Sequence, residues 1–351
     1  MTNEVKAILF GIGSIGSQIA RFALQKKGVE IVGAVDVAKD KVGKDLGEVL
    51  GIGKRVGVTV TDDPDDLFSR VKADIVIHST MSYLKAVFPQ IVKCVKAGMN
   101  VVSTCEELAY PYYKHPELAN EIDELAKKRG VTVLGTGINP GYLMDTLPIT
   151  ITGICKEVES IKVTRMMYSG NRRSAYQKKI GTGLTPEEFR KMIDEGKITG
   201  HVGLEESISM IAAALGWELD DMEVLPPEPV ISDVKVETWA DPTKQTPFIT
   251  VKPGQVCGLK SIAHGVKGGE RVITLEFISH ANVKEPYESV IIKGEPDVHE
   301  KIIGGVHGDV GTVSMIVNSI PKVLNAPPGL VTMKDLPLPC ATPEDMRIYL
   351  K

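Results

Sequence analysis

The spacing of apolar and polar positions changes once along this chain, near residue 150. Before that point, short β-branched runs alternate with helical stripes. Residues 7–10, 31–35, 58–60, 75–78, 101–103 and 132–134 read as strands, and 15–27, 83–96 and 116–128 as helices. In the first helix Ile15, Ile19, Phe22 and Ala23 recur at i, i+4, i+7 and i+8, which gives it one apolar face. Gly28, Gly98 and Gly130 follow the three helices, where a left-handed residue commonly ends them. Such alternation predicts an α/β domain, a doubly wound parallel sheet with helices on both faces.

Beyond residue 150 the longer runs 158–168, 234–238, 248–251, 271–279 and 289–293 predict an α+β domain with a mostly antiparallel sheet. Two helices come early in it. Thr185, Pro186 and Glu188 spell a capping box whose helix stops near Gly196, and Leu204, Ile208, Ile211 and Leu215 stripe the next. The Pro-rich stretch 225–229 reads as a loop or linker. Val310, Val313, Val317 and Ile320 mark a last helix broken at Pro321, followed by an irregular wrap over 325–342. The expected division is 1–147, completed by about 305–351, and 148–304.

Composition narrows the partners. Forty-one basic residues against 45 acidic ones leave a net charge of −4, and aromatics are only 5%, so neither nucleic acid nor an anionic membrane is expected. Five scattered cysteines without a CxxC pair argue against a disulfide framework and a metal site, and for a cytoplasmic compartment. The first ten residues do not read as a signal peptide, and no apolar run reaches the ~18 residues of a membrane span.

The chemistry starts at Gly11-Ile12-Gly13-Ser14-Ile15-Gly16, a GxGxxG that follows a strand, opens a helix, and is followed 20 positions after Gly16 by Asp36. Gly11 suits the tight turn, Gly13 the close approach of a pyrophosphate, and Gly16 the helix–strand contact. Amides of the helix opening, at Ser14 and Ile15, would hold the pyrophosphate. Asp36 would accept from the adenosine ribose, which favours NAD, with NADP possible. Lys39 and Lys41 are within reach of a 2′-phosphate but read rather as a solvated turn.

Ligands of an open α/β sheet lie beyond the carboxyl ends of its strands. Ser79 and Thr80 follow the fourth strand and can bond ribose or phosphate; Asn139, after the sixth, can bond the nicotinamide amide. Glu106 and Glu107 follow the fifth. Glu106 reads equally as a catalytic base or as a helix-opening carboxylate, Glu107 rather as the latter. Cys105 reads as a buried small residue, and His264 and His280 as structural. Arg172, Arg173, Lys178 and Lys179 crowd the segment before Gly181-Thr182-Gly183 and the capped helix, a composition suited to a carboxylate.

The fingerprint, the loop 135–141 with Asn139, and Lys178-Lys179-Ile180-Gly181-Thr182-Gly183 before a helix resemble the dihydrodipicolinate reductase superfamily. Within it the chain is most similar to the 2,4-diaminopentanoate dehydrogenases, over nearly its whole length, as in segments 201–207, 258–265 and 304–337. The paired-histidine signature of the reductases is missing, for 165–177 holds no histidine. The resemblance implies a Rossmann domain, a substrate and dimerisation domain, and a homodimer. It carries Gly11, Gly13, Gly16, Asp36, Asn139, Lys178 and Thr182 into the family's binding roles. It also implies NAD(P)-dependent oxidative deamination of a diamino acid, 2,4-diaminopentanoate to 2-amino-4-oxopentanoate with release of ammonia, in ornithine degradation. Glu106 would be the base, and Arg173, Lys178 and Lys179 would bind the substrate carboxylate, with Thr182 beside them. The alternatives are an imine reductase and a non-catalytic NAD(H)-sensing protein.

Overall fold

A computed structural model describes residues 4–240 and 246–351. The chain divides into two compact units, 1–142 with 308–351, and 143–307.

The first unit begins with β1 (Val5–Phe10), α1 (Ser14–Ala23), β2 (Val29–Val35), α2 (Leu46–Leu50), β3 (Val60–Thr61) and α3 (Pro64–Arg70). It continues with β4 (Ile75–His78), α4 (Leu84–Lys96), β5 (Asn100–Ser103), α5 (Pro116–Arg129) and β6 (Thr132–Gly135). A single 3-10 turn, Glu106–Leu108, stands between β5 and α5. The alternation follows from β-branched runs, which suit fully buried parallel strands, and from amphipathic helices closed by glycines such as Gly130 at φ +70°. Pairing of β1 with both β2 and β4 places the reversal of chain order between β1 and β4, where an open sheet leaves its crevice.

The second unit holds α6 (Thr146–Thr152), β7 (Glu157–Tyr168), α7 (Ser174–Lys179), α8 (Pro186–Asp194) and α9 (Leu204–Leu215). There follow β8 (Asp221–Val224), β9 (Glu228–Ile231), β10 (Val236–Thr238), β11 (Ile249–Val251), β12 (Val256–Lys267), β13 (Glu270–His280), β14 (Tyr287–Glu295) and β15 (Val298–Ile303). The main sheet runs β15-β14-β7-β13-β12-β8, with β9 also on β12. It is antiparallel except for β7 against β13. Its registers put Val290, Val163, Leu275 and Ala263 in one row and Glu288, Arg165, Phe277 and Ser261 two residues further along the same face. That face therefore passes from apolar to polar toward the carboxyl ends of β7 and β13.

The chain returns to the first unit as α10 (Gly308–Asn325) and β16 (Gly329–Val331). The seven parallel strands then stand in the order β16-β6-β5-β4-β1-β2-β3. Helices α4 and α5 cover one face, packing Leu84, Val87, Ile91 and Ile122 on Val76 and Val101, while α10 packs beside α1.

Three expectations need correction, and one segment gains a helix. The last helix does not break at Pro321. It runs on to Asn325, because Ile320 and Val323 are both fully buried and their burial outweighs one lost amide. The wrap over 325–342 contributes β16, the edge strand beside β6. The Pro-rich 225–229 runs into β9, and the basic segment before Gly181 contains α7. The capping box at Thr185 and Glu188 is present as expected.

Candidate cofactor and substrate sites

In the first unit the glycine loop is shaped by what a Cβ would meet. At Gly11, with φ +94°, it would stand 2.3 Å from the Ser79 carbonyl oxygen, and at Gly16 it would stand 2.0 Å from that of Gly11. At Gly13 it would meet nothing within 4 Å among the described residues, so open space lies before that residue. Helix α1 carries neither a side-chain cap nor an acidic residue in its first turn, and its N-terminal amides at Ser14 and Ile15 keep their positive end for an anion. These features fit a pyrophosphate.

Asp36 closes β2 and braces the loop: Ile12 N–H donates to its Oδ2 at 2.8 Å, and Ala38 N–H to its Oδ1 at 2.9 Å. The Lys41 ammonium donates to the same Oδ2 at 3.1 Å and to the Ile12 carbonyl at 2.8 Å. Lys41 is therefore not a solvated turn residue. Burial opposes ionisation of Asp36, but the two amides and Lys41 outweigh it and hold the carboxyl below the usual range.

Ser79 and Thr80 spend their hydroxyl protons on the protein. Ser79 Oγ donates to the Gly11 carbonyl at 2.8 Å, and Thr80 Oγ1 to Gln90 Oε1 at 2.8 Å. Both are thus part of the cradle's frame. Beneath them His78 is fully buried, with Nε2 2.7 Å from Gln90 Oε1 and Nδ1 2.8 Å from Ser103 Oγ. The Gln90 oxygen can only accept, so Nε2 carries the proton and Nδ1 accepts from Ser103. Burial lowers this imidazole to about 4, against the pull of the Gln90 bond, so it is neutral.

Glu106 and Glu107 lie on the 3-10 turn after β5 and part company. Glu106 is half-buried, whereas Glu107 is 3% exposed. Glu107 Oε2 accepts from Leu84 N–H at 2.7 Å, the amide that opens α4, and lies 2.9 Å from His115 Nε2. Lys114 Nζ is 3.2 Å from its Oε1. Glu107 does serve a helix start, but that of α4 and not of its own turn. Cys105 is buried, and burial pushes its thiol far up, which removes it as a nucleophile.

Asn139 is 8% exposed, and neither atom of its amide has a hydrogen-bond partner among the described residues; nor has the Thr136 hydroxyl. Their loop is held against α10, where Gly311 leaves room for Ile138 and Thr312 Oγ1 accepts from Ile138 N–H at 3.4 Å. Buried, unsatisfied polar atoms are costly unless a ligand completes them.

In the second unit α7 carries Lys178 and Lys179, both exposed, the former 5.9 Å from the Phe248 ring centre. Arg173, its N-cap residue, is half-buried. Thr182 is 6% exposed, and its hydroxyl has no partner among the described residues, as is true of the fully buried Ser169 hydroxyl. Gly181, at φ +76°, makes room for the Phe189 ring. The deeply buried cations here are Arg165 and Arg172, the second lying over the Tyr176 ring at 4.5 Å.

Arg165 Nε lies 3.3 Å from Glu288 Oε1, and its Nη2 donates to the Val306 carbonyl at 2.9 Å. Burial pushes the Glu288 carboxyl up to about 7, against Arg165. His201, absent from the sequence candidates, stacks on Phe277 at 4.2 Å and 6°, and donates its backbone amide to Ser261 Oγ at 3.1 Å. Burial first, then Arg165 and Lys179, lower its imidazole to about 3. Only the fold brings it to that polar row. His264 and His280 have modest local bonds, to Thr274 Oγ1 and from Asn282 N–H. Among the described residues no cluster of three His, Cys, Asp or Glu is placed to hold a metal, and no helix is long and apolar enough to cross a membrane.

Comparison with known proteins gives two family matches: "2,4-diaminopentanoate dehydrogenase C-terminal domain" over residues 142–351, and "dihydrodipicolinate reductase, N-terminus" over 5–135. A 2,4-diaminopentanoate dehydrogenase of Acetoanaerobium sticklandii is 40% identical over 98% of this chain and 96% of its own. An amine dehydrogenase of Streptomyces virginiae is 23% identical over 95% and 96%. The solved structure of an amine dehydrogenase from Mycobacterium smegmatis superposes with a TM-score of 0.83 at 27% identity, covering 97% of this chain and 98% of that one.

Proposed function

The chain belongs to the 2,4-diaminopentanoate dehydrogenase family, and on that premise we propose that it oxidatively deaminates a diamino acid, 2,4-diaminopentanoate, at the amine distal to the carboxylate, with NAD as acceptor and NADP as a second. The observation that carries this reading is the full-length likeness to the Acetoanaerobium enzyme. The open space before Gly13 and the uncapped start of α1 support it.

The chemistry supplied by a bound nicotinamide is a two-electron oxidation: the C–H electron pair of the amine-bearing carbon leaves as hydride, and water hydrolyses the resulting imine to ketone and ammonia. The chain's own residues do the rest. Gly11, Gly13, Gly16 and the Ser14 and Ile15 amides hold the pyrophosphate, framed by Ser79 and Thr80, and Asp36 takes the ribose hydroxyls. Asn139 satisfies its amide on the carboxamide. Glu106 attracts the substrate ammonium and takes its proton, since only the free amine can release hydride. Arg173, Lys178 and Lys179 bind the carboxylate with the Thr182 hydroxyl, and binding at that remote group orients the reacting carbon. In the same reading the protein is a cytoplasmic homodimer of ornithine degradation.

Substrate labelled with nitrogen-15 at carbon 4 tests the regiochemistry. Labelled ammonia and 2-amino-4-oxopentanoate are expected; unlabelled ammonia would contradict it.

A further inference from the structure

We infer that Glu107 is a positioning residue of the reaction, a buried carboxylate that fixes the turn from which Glu106 acts; the inference rests on the proposed role of Glu106. Consecutive residues of a 3-10 turn point about 120° apart, so the two carboxylates of Glu106–Leu108 cannot share one environment. Glu107 takes the buried side. Its Oε2 receives the Leu84 amide at 2.7 Å and faces His115 Nε2 at 2.9 Å, and its Oε1 faces Lys114 Nζ at 3.2 Å. The turn is thereby tied to the start of α4 on one side and to the segment leading into α5 on the other.

Other contacts hold the turn and the residues that lead into it. Glu107 N–H donates to the Ser82 carbonyl at 3.2 Å, as does the Cys105 thiol, and Cys105 N–H donates to Ser103 Oγ at 3.1 Å. The Ser103 hydroxyl is in turn held by His78 at 2.8 Å. Gly135 allows β6 to close on the turn, since a Cβ there would stand 2.4 Å from the Leu108 carbonyl carbon. A helix start needs none of this. Tyr83, the N-cap of α4, makes no side-chain cap bond among the described residues, and an Asp or Ser at that position would satisfy the helix locally. The helix instead draws its cap from 23 residues away, from the neighbour of the half-buried Glu106. A reacting group set about 1 Å off its place can lose on the order of 100-fold in rate, which gives such bracing a function. The Lys114 ammonium also balances the Glu107 charge, so that Glu106 does not stand beside an unmatched anion.

The test is a double-mutant cycle on kcat for amine oxidation, with Glu106→Gln, Glu107→Gln and the pair, and NAD affinity measured in each. Glu107→Gln is expected to lower kcat at least tenfold with NAD affinity within about twofold, and to cause no further loss in the Glu106→Gln background. Its loss vanishes there because it acts only through Glu106. A kcat within threefold of wild type for Glu107→Gln, or losses that multiply in the double variant, overturns the inference. Glu106→Gln alone reads the base assignment: full activity in it refutes that reading, whereas an inactive Glu106→Gln beside a fully active Glu107→Gln refutes only the positioning role. Should Glu107→Gln not fold, Lys114→Met carries the same test. A fall of about threefold, absent in the Glu106→Gln background, with the acid limb of the rate profile moved to higher pH, supports the inference; no fall, or a multiplying one, overturns it.

Discussion

The Lys41 ammonium is seated on Asp36, 3.1 Å from Oδ2, and on the Ile12 carbonyl oxygen at 2.8 Å. A lone Asp at the end of the second strand repels a 2′-phosphate. Here a cation is held beside it within the fold. Lys41→Met is therefore expected to lower kcat/KM for NADP by 10- to 100-fold, about 1.4–2.8 kcal/mol, while changing that for NAD less than about threefold. Equal losses with both cofactors would show that Lys41 serves only the loop.

Gly13 and Gly16 separate fold from binding. A Cβ at Gly13 would meet no atom of the described residues within 4 Å, whereas one at Gly16 would stand 2.0 Å from the Gly11 carbonyl oxygen. Gly13→Ala is expected to melt within about 2 °C of wild type yet bind NAD at least tenfold more weakly, because the methyl would occupy the proposed approach of the pyrophosphate. Gly16→Ala is expected to lose stability as well. Calorimetry and NAD titration read both, and undiminished NAD binding by Gly13→Ala would move the cofactor elsewhere.

The distribution of legible and illegible features has a physical cause. Gly11, Gly13, Gly16 and Asp36 could be read because one turn and one strand end hold all four. The contacts of Glu107 could not, since its partners Leu84, Lys114 and His115 reach it only when α4, the turn and α5 are packed. His201 is silent for the same reason: Phe277 and Ser261 come to it from β13 and β12. Strand β12 is masked by its glycines, yet Gly258 is required there, as a Cβ would fall 2.0 Å from the Ser279 carbonyl oxygen. The second sheet's antiparallel texture was legible from its long runs, and the parallel pair β7·β13 was not, because strand order leaves no local trace.

Thr182 offers a stability signature for a binding role. Its hydroxyl is buried without a partner among the described residues, a desolvation cost that a bound ligand would offset. Thr182→Val is expected to melt at or above the wild-type temperature while raising KM for the amine at least tenfold and leaving NAD affinity unchanged. A lowered melting temperature with unchanged KM would assign the hydroxyl to the fold.

Acid should weaken the first unit through His78. Its imidazole titrates near 4 in the fold and near 6.5 unfolded, so between those values the unfolded chain binds the extra proton. Stability from this group is complete above about pH 6.5 and is lost as pH falls toward 4, by about 2 kcal/mol between pH 7 and 5. Burial gives His201 the same sign. Denaturant unfolding of wild type and His78→Gln at both pH values checks it: the variant should lose about 2 kcal/mol less over that interval, and an equal loss would refute a neutral His78.

The most direct measurement is the initial rate of nicotinamide reduction with 2,4-diaminopentanoate, run with NAD and with NADP and with ammonia assayed in parallel. Amine-dependent NAD(P)H formation with an equal amount of ammonia is the expected result. No reduction with this or any other diamino acid, or NAD(P)H consumption with a dihydrodipicolinate-type imine in its place, would contradict it.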